Sequence, residues 1–118
     1  MGYYRDFLIT TPKTVVQRED VEDIVNLLKK KSGYSYFEVE IMYQNTLNYI
    51  SIHDVKWYDC EEHMLEISRR YKNVLFRVDT DGEDCHDLNT HFFMNGKTYY
   101  EKAKIIMPEF DESKMKEK

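Results

Sequence analysis

The period of the apolar residues switches back and forth along this chain, and the order of those switches limits the fold more than any other feature. Val21, Ile24, Val25 and Leu28 recur at i, i+3, i+4 and i+7, the spacing of one helix face. Thr14-Val15-Val16-Gln17 has the form of a capping box, and Glu19 and Asp20 suit a helix N-terminus. Lys29, Lys30 and Lys31 suit the other end of the dipole, and Gly33 is a ready C-cap. The spacing therefore predicts an amphipathic helix of about four turns. Phe37, Val39, Ile41 and Tyr43 then alternate with Glu38, Glu40 and Met42, the period-two signature of a strand with one face buried. A turn at Gln44-Asn45-Thr46 leads into a second β run from Leu47 to Val55, so these two runs should form a hairpin.

The same alternation continues to the end of the chain. Asp59 is a candidate N-cap with Glu62 at N3, and Met64, Ile67, Ser68 and Tyr71 share one helical face, which predicts a helix over Asp59 to Tyr71. Val74, Phe76 and Val78 alternate with Leu75, Arg77 and Asp79, and Asp81-Gly82 marks a turn. His86 to Met94 returns, Asn95-Gly96 is the strongest hairpin signal, and Lys97 to Met107 runs back. Ahead of all this, Tyr4 to Thr10 reads as a first strand closed by Thr11-Pro12. The order β-α-β-β-α-β-β-β predicts an α+β fold, with five or six antiparallel strands and two helices packed on one face, as in ferredoxin-like plaits. The other sheet face should stay open.

A chain of 118 residues fits one domain, here 1–107, followed by a charge-dominated tail over 108–118. No stretch approaches the roughly 20 apolar residues of a membrane span, and no signal peptide opens the chain, so a cytoplasmic protein without membrane contact is expected. Met1-Gly2 invites a myristoylation reading, but Asp6 stands where that motif needs Ser or Thr. The net charge of -5 is unevenly spread. Glu38 to Glu62 holds six acids against Lys56, and Asp79 to Asp87 holds five acids with no Lys or Arg. Such stretches repel phosphate, which argues against direct nucleic-acid binding and for a partner protein with a basic groove.

Several constellations resemble chemical sites. Cys60, His63, Cys85 and His86 are residue types that zinc selects, but Cys85 and His86 are neighbours that a strand would point to opposite faces. Cys60 at a helix N-terminus with His63 one turn later suggests a thiol nucleophile, which the adjacent Glu61 and Glu62 oppose. Asp79-Thr80-Asp81-Gly82-Glu83-Asp84 looks like a calcium loop, yet its Gly is fourth and its twelfth position is Thr90, so it reads as a solvated hairpin tip. Glu38 and Glu40 could pair as acid and base only inside a cleft. No cofactor and no catalytic group is expected on these readings. Ten tyrosines, among them Tyr34, Tyr36, Tyr43, Tyr49, Tyr58, Tyr99 and Tyr100, suit a protein interface.

Lys56-Trp57-Tyr58-Asp59, Met64, Ser68, Tyr71, Phe76, Gly82-Glu83, Asp87 and Phe92-Phe93-Met94-Asn95-Gly96-Lys97 together resemble a module of small phage and mobile-element proteins. The module is similar to the ferredoxin-like domain of Api92-like phage proteins and covers roughly residues 50 to 100. It carries no catalytic residues to transfer. The resemblance, with the charge, implies a non-enzymatic phage or mobile-element protein of the anti-CRISPR type that binds and inhibits a host defence protein such as a CRISPR-Cas effector. The expected partner-binding residues are Glu38, Glu40, Tyr43, Tyr49, Asp79, Asp81, Glu83, Asp84 and Asp87. The alternative is a homodimeric structural or regulatory phage protein that pairs through its open face or an edge strand.

Overall fold

The computed structural model describes residues 3–84, 87–103 and 109–117. Among them lie six strands and two α-helices: β1 (Arg5–Thr10), α1 (Arg18–Ser32), β2 (Glu38–Ile41), β3 (Leu47–Val55), α2 (Cys60–Arg70), β4 (Phe76–Gly82), β5 (Leu88–Met94) and β6 (Lys97–Lys102). The strands form one antiparallel sheet in the order β2-β3-β1-β4-β5-β6. This is the expected α+β class and element order.

Alternation decides which face each residue takes. Phe7 and Ile9 of β1, Ile50 and Ile52 of β3, Phe76 and Val78 of β4 and Phe93 of β5 are buried with Val21, Ile24 and Leu28 of α1 and Met64 and Ile67 of α2 in one core. The in-between residues form the opposite face. Trp57, in the link between β3 and α2, closes the core against Phe7 and Phe37, with ring centroids 5.2 and 5.9 Å away. The helices are clasped to each other by Tyr71, which donates to Asp23, while Arg70 Nε reaches the same carboxylate at 3.0 Å. Burial first, then Asp23, pushes the Tyr71 phenol up to about 12.

Three local expectations need correction. The proposed capping box does not form: Thr14 Oγ1 bonds the Thr11 carbonyl, and Gln17 stays extended in an isolated bridge to Thr46 just before α1. Gly33 does cap that helix, with φ of 81° and its N–H on the Lys29 carbonyl. Asp81-Gly82 is not a turn, because β4 runs through Gly82. The return strand starts at Leu88 and leaves Asp87 outside it; Cys85 and His86, residues 104–107 of the expected last strand and the proposed boundary at 107/108 lie outside the described residues. In the tail, Glu112–Lys114 forms a single 3-10 turn in which Asp111 Oδ1 accepts from the Ser113 N–H.

The β5–β6 hairpin turns on Asn95 and Gly96, with φ of 51° and 74°, the two positive values a type I′ turn requires. Its tip is fastened to α2 by the buried Ser68, whose hydroxyl donates to the Leu65 carbonyl at 2.8 Å and accepts from the Gly96 N–H at 2.9 Å. Ser68→Ala leaves that N–H without its acceptor and is expected to lower the unfolding free energy by about 1–2 kcal/mol in urea titration. An unchanged midpoint would show that the clasp contributes nothing.

Candidate functional site: the open sheet face

Because every strand pair is antiparallel, the residues facing away from the helices line up in rows across the sheet wherever the register is unbroken. One row runs Glu38, Ser51, Leu8, Asp79, Thr90 and Glu101, one residue from each of the six strands. Strands lie about 4.8 Å apart, so such a row spans the whole width of the face. Beside it, Glu40 pairs with Tyr49 on one flank, and Arg77, Phe92 and Tyr99 stand side by side on the other. On the opposite side of the row, Asp6 lies directly across from Asp81, which pairs in turn with Leu88.

Two carboxylates facing each other across a strand pair repel, and the surroundings offset only part of that cost. A bulge in β3 does it for Asp6. The β1–β3 register shifts between Arg5 and Phe7, and Asp54 takes φ of 53°. As a result the Asp54 N–H points at Asp6 Oδ1, at 2.8 Å, and the His53 imidazole comes to 3.5 Å from the same oxygen. His53 also stands 4.0 Å from Glu38, which accepts from the Tyr49 hydroxyl at 3.2 Å. Loss of solvent, then the Glu40 and Glu38 carboxylates, holds the Tyr49 phenol above its ordinary value. Asp79 is steadied by Arg77 at 3.1 Å and by the Thr90 hydroxyl at 2.6 Å. Asp81 has no ion-pair partner among the described residues.

These groups surround a concavity of about 680 Å³ floored by Leu8, Ser51 and Leu88 and edged by Asp6, Glu38, Asp79 and Asp81. Ser51 is 2% exposed, and its Oγ has no hydrogen-bond partner among the described residues. At the other end of the face the character reverses. Phe92 and Tyr99 stack at 5.0 Å with Arg77 over the Phe92 ring, and a second hollow of about 530 Å³ is lined there by Lys72 and Lys97. The face is thus acidic where β2, β1 and the Asp79–Asp81 stretch of β4 surround the first concavity, and aromatic with basic neighbours around Phe92 of β5 and Tyr99 of β6.

The expected partner-binding residues divide into three places. Glu38, Glu40, Tyr49, Asp79 and Asp81 come together on the open face; period two assigns Glu38, Glu40 and Asp79 there, whereas Asp81 was expected in a turn and reaches the face only because β4 continues through it. Tyr43 is fully exposed in the β2–β3 turn. Glu83, Asp84 and Asp87 lie instead in the β4–β5 connection, where they hold the N-terminal segment. Glu83 accepts from the Tyr4 N–H at 2.7 Å, the Asp84 N–H donates to the Tyr3 hydroxyl at 2.8 Å, and Asp87 pairs with Arg5 at 3.4 Å. Desolvation works against the Asp87 carboxylate, but hydrogen bonds from Tyr3 and Asn89 and the charges of Arg5 and Lys102 prevail and keep it below its ordinary value. A side chain at Gly82 would collide with Asp87 and Tyr3, so the absent Cβ lets this knot close.

Asp6, Leu8, Ser51 and His53 are members of the site that sequence reasoning did not single out. Period two from Ile9 assigns Leu8 and Asp6 to the open face, and that was the available signal. Nothing in the sequence marks the bulge that brings in His53.

The thiol and metal constellations take structural roles where they are described. Cys60 is buried, and burial, followed by the Glu61 charge, pushes its thiol up, away from a reactive thiolate. His63 accepts the Trp57 indole N–H on Nδ1 at 2.8 Å. Among the described residues no group of three or more His, Cys, Asp and Glu is arranged to hold a metal, and no helix is long and apolar enough to cross a membrane. In comparison with known proteins, the chain matches no family model, no curated protein and no solved structure.

Proposed function

We propose that this chain is a non-enzymatic binding protein that presents its open sheet face to a basic surface of a partner protein. The observation that carries this reading is the gathering of Asp6, Glu38, Asp79 and Asp81 around one concavity, two of them directly opposed across β1 and β4 with no neighbouring lysine or arginine pairing Asp6 or Asp81 among the described residues. Carboxylates held together against their own repulsion are relieved by an incoming cation, so binding recovers what folding leaves uncompensated. The order β2-β3-β1-β4 around two crossover helices supports taking the first four strands as a ferredoxin-like plait to which β5 and β6 are added. With the phage-module resemblance of residues 50 to 100, the proposed partner is the nucleic-acid groove of a host defence protein such as a CRISPR-Cas effector, whose occupation inhibits it.

Glu38→Lys/Asp81→Lys is expected to weaken inhibition of DNA binding by a susceptible purified CRISPR-Cas effector about tenfold or more, and to leave the circular dichroism spectrum unchanged. A panel of such effectors that neither binds the unmodified chain nor is inhibited by it overturns the host-defence reading. A second reading, a homodimer joined along β6, is favoured by one observation: all six residues of that edge strand are exposed. Light scattering over a range of concentrations separates the two.

A further inference from the structure

The structure assigns the acidic concavity a more specific ligand, an arginine side chain of the partner protein; this rests on the protein-binding reading above. The acids alone do not choose among cations. The choice comes from Ser51, whose Oγ is buried at the floor of the concavity, 2% of the residue being exposed, and has no partner among the described residues. A buried hydroxyl without a partner is costly, so its presence at the floor of the concavity calls for a group that completes it.

What completes it must also satisfy the groups beside it. Glu38 is the cross-strand neighbour of Ser51, and Leu8 is its neighbour on the other side. Tyr49 and His53 flank it along β3 on the same face. A guanidinium offers five N–H donors in one rigid plane, enough to meet the Ser51 oxygen, the Glu38 carboxylate and the Asp6 carboxylate together. An ammonium is a compact point charge that cannot spread its donors this way. The Tyr49 ring suits stacking by a planar cation, and Leu8 and Leu88 suit the methylene stem. The exposed His53 ring, 3.5 Å from Asp6 and 4.0 Å from Glu38, stands between these carboxylates, so this assignment requires it to swing out toward solvent when the arginine enters.

The test is titration of the full chain with acetylated (Gly-Arg)4 and (Gly-Lys)4 peptides, followed by backbone amide shifts in NMR. The arginine peptide is expected to bind about fivefold or more tightly than the lysine peptide at equal charge, with the largest shifts at Leu8, Ser51 and Asp81. Ser51→Ala is expected to abolish that preference while leaving the melting temperature equal or higher, since it removes an unpartnered polar atom. Equal affinity for the two peptides, or an undiminished preference in Ser51→Ala, overturns the arginine assignment. Either result leaves the effector inhibition measured with Glu38→Lys/Asp81→Lys standing or falling on its own. Agmatine binding more tightly than the peptide likewise overturns it, in favour of a free guanidine ligand.

Discussion

Trp57→Ala is expected to lower the unfolding free energy by about 3–5 kcal/mol, a large part of the roughly 5–15 kcal/mol that holds a domain folded. Trp57 is 5% exposed, packs tilted on Phe7 and edge-on to Phe37, and gives its indole N–H to His63. Truncation removes the largest side chain from the junction of β1, β3 and α2 and strands the imidazole acceptor as well. Trp57→Phe keeps an aromatic ring there and loses only the hydrogen bond and part of the area, so its expected loss is smaller, about 1–3 kcal/mol. Because Trp57 is the chain's one tryptophan, urea unfolding of the variants is followed by far-ultraviolet circular dichroism. A loss below about 1 kcal/mol for Trp57→Ala would contradict its place in the core.

Phe76→Ala is expected to cost a similar amount, about 3–5 kcal/mol, and to drop the melting temperature by about 10–20 °C. Phe76 is fully buried and stands directly opposite Phe93, itself 1% exposed, across β4 and β5. Both rings lie in the core that α2 covers, and Ser68 fastens the β5–β6 hairpin nearby. The two substitutions act on different parts of one core. Their effects should therefore be nearly additive, whereas Phe76→Ala and Ser68→Ala, both acting on the β5–β6 hairpin, should show measurable coupling in a double-mutant cycle.

The elements were legible in the sequence because each rests on local spacing. Val21 to Leu28 and Met64 to Ser68 are buried helix faces, and Glu38 and Glu40 point outward, as their periods require. Where the reading failed, a distant contact outweighed a local signal. Asp79-Thr80-Asp81-Gly82 has turn composition, but β1 and β5 lie on either side of β4 and extend it through Gly82, with the acids on the open face and Thr80 buried. Thr14 prefers the Thr11 carbonyl to a cap because Gln17 is drawn into a bridge with Thr46. Of the candidate site, the acids on strands were legible. The role of Glu83 and Asp84 was not, since their partners Tyr4 and Tyr3 lie 79 and 81 residues away in the chain. Ser51 was equally silent, because only the register of three strands places it under the acids.

The transverse row from Glu38 to Glu101 takes one residue from every strand. No continuous fragment of the polypeptide carries this surface. Overlapping synthetic peptides would miss it, antibodies raised against linear segments would not block it, and a partner that recognises it distinguishes the folded chain from its unfolded or proteolysed forms.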